Sequence, residues 1–104
     1  MEELLFKSKA GFTPSNFDFG HSILQIKGLE NDIIIEFLGT YYMELPRLFK
    51  GIEIIKLNDQ EVKKILKLRK SLDKNKMNFM KIISNEEIYY IGAISLQIKN
   101  RCVR

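Results

Sequence analysis

The sequence predicts a small α+β domain, a mostly antiparallel β-sandwich or partly open barrel carrying one short and one longer helix. Apolar runs of strand length recur along the chain and are cut by Gly, Pro, Asn and Asp, which favour turns. A sustained change to helical period occurs from Glu61 to Asp73, where Val62, Ile65, Leu66, Arg69 and Leu72 share one face. With 104 residues, 45% of them hydrophobic, residues 1–104 are enough for one domain around one core.

Leu4-Leu5-Phe6 reads as a short first strand, and "GFTPSN" at 11–16 as a loop, because glycine, proline and small polar residues favour turn conformations. Residues 19–27 form the second strand, ended by Gly28. "DIIIEFL" at 32–38 is the third. Ile33, Ile35 and Phe37 lie on one face and Ile34 and Leu38 on the other, so both faces are covered and the strand is central.

Gly39-Thr40 breaks the third strand. "MELPRLFKG" then predicts one helical turn, with Pro46 near its start, where a missing N–H costs nothing, and Gly51 as its left-handed stop. Residues 52–57 are the fourth strand, with Ile54, Ile55 and Leu57 buried and Gly51 at positive φ. Asn58-Asp59 turns the chain out into the helix at 61–73. Residues 78–83 and 88–98 close the domain as a hairpin around Ser84-Asn85-Glu86, with Ile88, Tyr90, Ile94, Leu96 and Ile98 in phase. The resulting order is β-β-β-(short α)-β-α-β-β.

The formal net charge of +4 is uneven. Lys63, Lys64, Lys67, Arg69, Lys70, Lys74, Lys76 and Lys81 face Asp73 alone within 63–81, and the rest of the chain is net acidic. The ordinary reading of such a stripe is the solvated face of an amphipathic helix. The alternative is a polyanion partner held by Lys63, Lys67, Lys70 and Lys74. Nucleic acid is disfavoured, because such sites interleave aromatics with their bases and only Phe79 falls in this stretch. The single cysteine, Cys102, provides no internal disulfide and no cysteine-based metal site, and leaves the compartment open. The acids of "MEELLFKSKAG" predict that no signal peptide is present, and no apolar run approaches the roughly 18 residues of a membrane span.

Catalytic chemistry has little to stand on. The one histidine is His21, and its neighbour Ser22 on a strand points to the opposite face. Ser71 lies one helical turn from Lys67, on a face kept wet by Lys70 and Lys74. Glu86-Glu87 occupies a turn. Phosphate-binding, zinc-protease and aspartic-protease signatures do not occur in the sequence. The expectation is a non-catalytic domain without a cofactor or metal.

"GIEIIKLND" resembles the Gly-Asp-x-Ile-Leu-x-Ile-Asn-Gly segment of PDZ domains, with Gly51, Ile54, Ile55, Leu57 and Asn58 matching. "FDFGHSI" resembles their Gly-Leu-Gly-Phe carboxylate loop, with Phe19, Gly20 and His21 at the last three positions and Asp18 in place of the first glycine. The resemblance covers residues 17–98. It is closest to the C-terminal PDZ-like module of bacterial retropepsin-like aspartyl proteases, where a strand like "LLFK" leads into the domain. It implies either an appendage of a covalently attached protease domain or a free-standing domain of the same fold, binding an extended peptide by strand addition. The peptide would add to the strand at 22–26 and lie against the helix at 61–73. The implied contacts are Asp18, Phe19, Gly20, His21, Ser22, Ile23 and Leu24 on one side and Val62, Ile65, Leu66 and Arg69 on the other. Asp18 opposes a terminal carboxylate, so internal segments are expected to bind at least as well as free C-termini. The alternative is a structural or regulatory appendage with a closed groove.

Overall fold

A computed structural model of the chain describes residues 3–68 and 78–100. Their order is β1 (Glu3–Asp18), β2 (Ile23–Gly28), β3 (Ile33–Leu38), β4 (Tyr42–Met43), β5 (Phe49–Lys56), α1 (Asp59–Leu68), β6 (Asn78–Ser84), β7 (Glu87–Ala93) and β8 (Ser95–Asn100). The strands form one antiparallel sheet in the order β4-β7-β6-β5-β1-β2-β3-β8. The predicted mostly antiparallel β-rich domain is present, its strands joined in one hydrogen-bonded order. It is not a closed barrel, and among the described residues it carries one short helix.

β1 is far longer than the predicted three-residue strand. The predicted loop at 11–16 lies inside this 16-residue strand. Glu3 to Phe12 pairs with β5 and Phe12 to Asp18 with β2, and the pairing slips at Leu4/Phe6, Ser8/Gly11 and Pro14/Asn16. These irregularities admit Gly11 and Pro14, which would weaken a regular ladder, and bend the strand across the sheet. Phe12 is fully buried at the crossing and meets Phe6 edge-to-face at 6.1 Å. Pairing on both sides therefore outweighs the local turn preference.

The second strand starts later than predicted, because residues 19–22 form the turn that joins β1 to β2. β3 is flanked by β2 and β8 but lies second from one end of the sheet rather than at its centre; Ile35 and Phe37 are fully buried, whereas Ile34 and Leu38 on the other face are only partly covered. It stops at Gly39, whose φ of 64° suits glycine.

Residues 43–51 hold no helix. β4 pairs with β7, and Phe49 already opens β5. Pro46 pushes Leu45 out of the helical region. The carbonyls of Arg47 and Leu48 accept hydrogen bonds from Thr13 Oγ1 (2.9 Å) and Asn85 Nδ2 (2.7 Å). Asn85 Oδ1 also accepts Lys50 N–H at 3.0 Å, so one side-chain amide satisfies this backbone much as a strand would. Gly51 has a φ of 81°, as predicted, but turns the chain within β5 rather than ending a helix. Ile54, Ile55 and Leu57 are buried.

Asn58 is the N-cap of α1. Its Oδ1 accepts Glu61 N–H at 2.9 Å, and Asp59 and Glu61 place negative charge in the first turn. The described helix ends at Leu68, so the remainder of the predicted 61–73 helix lies outside the described residues. Ile65 and Val62 pack on Leu57, Phe79 and Tyr90 in a small cluster beside the main core. That core runs from Phe12, Leu24 and Ile26 through Ile35, Phe37 and Phe49 to Ile54, Ile82 and Ile91.

β6 and β7 form the expected hairpin, turned by Asn85 and Glu86 at φ 55° and 62°. The predicted strand at 88–98 is broken at Ile94. Its phase differs from the prediction: Ile91 and Ala93 are buried while Ile88 is exposed, and after the break Leu96 and Ile98 oppose the buried Phe37 and Ile35. β7 stays beside β6, whereas β8 crosses to β3 at the other end of the sheet. Only Ile94 separates β7, second from one end of the sheet, from β8 at the other, so the sheet curls to bring its two ends close together.

Candidate peptide-binding site

The structure separates the two halves of the predicted groove. Ser22 closes the turn at φ 53°, and Ile23 and Leu24 begin β2. β2 has no free edge: Ile23 to Gly28 pairs with β1 on one side, and Leu24 to Lys27 pairs with β3 on the other. The Ser22 carbonyl accepts Thr40 N–H at 2.7 Å, so coverage extends into the turn. A peptide entering here would have to displace β3, whose Ile35 and Phe37 are fully buried. That forfeits several hydrogen bonds at about 1 kcal/mol each, in addition to the buried apolar surface.

The helix lies elsewhere. Val62 and Ile65 pack against β6 and β7 rather than β2, and Glu61 Oε2 pairs with Lys81 Nζ at 3.0 Å. Of the predicted apolar helix face, Val62 and Ile65 are packed inward, but on strands other than the predicted one. The Leu66 side chain and Arg69 lie outside the described residues.

Asp18, Phe19, Gly20 and His21 form a self-contained turn. Asp18 Oδ1 accepts Gly20 N–H at 2.9 Å and His21 N–H at 3.3 Å, and Oδ2 pairs with His21 Nδ1 at 2.9 Å. The His21 side-chain bond, ahead of the backbone bonds, holds the Asp18 carboxyl below its ordinary pKa. Asp18 thus places its own carboxylate on the donors that a carboxylate-binding loop would offer to a ligand. Phe19 is 85% exposed and meets Phe17 edge-to-face at 4.8 Å. The Asp-x-x-His spacing is the sequence signal for this closed turn.

The basic stripe is also redistributed. Lys63, Lys64 and Lys67 are exposed on α1, whereas Lys81 is buried beside Glu61. Lys70 and Lys74 lie outside the described residues.

A polar ladder centred on the buried Glu36 crosses the outer face of β2, β3 and β8. Gln25 Nε2 donates to Glu36 Oε2 at 2.7 Å, and Lys99 Nζ pairs with Glu36 Oε1 at 3.1 Å. The Gln25 bond, then Lys99, keeps the Glu36 carboxyl below its ordinary pKa against the opposing effect of burial.

Among the described residues no three His, Cys, Asp or Glu side chains gather as a metal site, and no helix is long and apolar enough to cross a membrane. Comparison with protein-family models, curated proteins and solved structures finds no match to this chain.

Proposed function

We propose that this domain is a non-catalytic structural appendage, PDZ-like in its local order, which orders or gates a neighbouring protein domain. A bacterial retropepsin-like aspartyl protease domain is the neighbour that the sequence resemblance suggests. The observation that carries this reading is the pairing of β2 on both sides, which leaves the expected peptide groove closed. The Asp18 turn supports it, because the donors that would receive a ligand carboxylate already bind a carboxylate of this chain. The passage from Gly51 at positive φ through β5 and the Asn58 cap into α1 and a closing hairpin supports the PDZ-like reading.

Titration with peptides carrying free C-termini, and with the same peptides capped, tests the closed groove by NMR. The expected result is no shift of the amides of residues 22–26 and slow hydrogen exchange of the β2 amides. Saturable shifts there with either peptide format would restore a peptide-binding function at β2.

A further inference from the structure

We propose that the outer edge of β8 and the groove beside it form a docking site for a single extended, uncharged segment of a partner protein, added to the sheet as a ninth strand. Ser95–Asn100 is an end strand of the sheet, and its side away from β3 carries no strand among the described residues. Its alternating N–H and C=O groups are complemented by extended main chain. The other end strand, β4, is two residues long and offers little such edge. β8 also lacks the usual edge protection: it contains no proline, and its one charge, Lys99, is turned to Glu36 on β3.

The groove defines the occupant. A space of about 370 Å³ runs between β8 on one bank and Glu3, Leu5, Lys56, Asn78 and Met80 on the other. Because β1, β5 and β6 line the space opposite β8, a single segment fits this bounded groove better than the edge of a second copy, which would bring its own sheet behind it. Leu96 and Ile98 are register partners of the buried Phe37 and Ile35 and so face the interior, yet Ile98 remains 40% exposed at the groove. An added strand would direct every second side chain inward between these residues and Leu5 and Met80, which selects apolar residues at alternate positions. Glu3 and Lys56 are partners across β1 and β5, so this rim carries no net charge to favour a charged segment.

The test uses the full chain and capped seven-residue peptides with Val, Ile or Leu at alternate positions and Ser or Thr between them. Backbone N-methylated versions serve as controls. Saturable shifts of the amides of residues 95–100, abolished by N-methylation, are expected. Ile98→Lys should weaken binding by at least about tenfold while leaving the amide spectrum of Phe12, Ile54 and Ile82 unchanged. Leu96→Lys is the second variant should Ile98→Lys fail to fold. Absence of shifts at millimolar peptide would overturn the proposal. So would uniformly slow amide exchange along β8 in the free protein, which shows an edge already covered, or concentration-dependent dimerisation abolished by Ile98→Lys, which assigns the edge to a second copy. Shifts at residues 22–26 instead would contradict the closed β2 groove, so the two readings fail at different amides.

Discussion

Asp18 Oδ1 accepts the backbone N–H of Gly20 at 2.9 Å, so a side chain of the turn neutralises the donors of the turn itself. Asp18→Ala removes this acceptor and the His21 partner together. Faster amide exchange at Gly20 and His21 is expected, with the β2 amides unchanged because their partners lie on β1 and β3. The Asp18 pKa is depressed, so these bonds persist above it and are lost as pH falls through it. In the native protein the Gly20 amide shift should titrate with a midpoint below the ordinary aspartate value of about 3.9. A midpoint at or above that value would contradict the bonded turn.

Glu36→Ala should destabilise the domain by about 1–3 kcal/mol, because a buried charged acceptor bonded to Gln25 and Lys99 is removed. The depressed pKa sets the sign of the pH dependence. The Glu36 contribution is complete above the unfolded-state carboxylate pKa and declines as pH falls through the lower folded value. Denaturant unfolding of both proteins across the acid range checks this: the difference in stability should be largest near neutrality and shrink on acidification.

Gly51→Ala should cost about 1–2 kcal/mol, because a φ of 81° lies where an L side chain is strained. A Cβ there would find its nearest atom, the Ser8 carbonyl oxygen, at an ordinary 3.6 Å, so the loss is conformational rather than steric. Urea unfolding should show a lower midpoint with an unchanged slope.

Asn58→Ala should cost about 0.5–2 kcal/mol by removing the N-cap bond to Glu61 N–H. Asn58→Asp retains a cap acceptor and should restore most of the loss. Thermal unfolding of the two variants separates capping from other effects, and equal losses would exclude a capping role.

The elements that the sequence determined are those in which local chemistry and tertiary environment agree. Glycine at positive φ before an Ile-rich run, Asn58 ahead of a helical period, and Asn85-Glu86 between two apolar runs each specify a conformation within a few residues. Ile35 and Phe37 likewise face the core because strand alternation places them together.

Tertiary structure decided the rest, because strand partners lie far apart in sequence and a period of two does not name them. Gly11 and Pro14 read as loop residues, yet pairing with β5 and β2 holds them in one strand. The turn-like "ELPRLF" became an extended passage once Thr13 and Asn85 satisfied its carbonyls. Above all, β2 and α1 have the sequence pattern of two groove walls, but β3 covers the strand edge and β6 and β7 receive the helix. The break at Ile94 carries β8 across to β3, and among the described residues this long-range pairing leaves β8, not β2, as an end strand of the sheet.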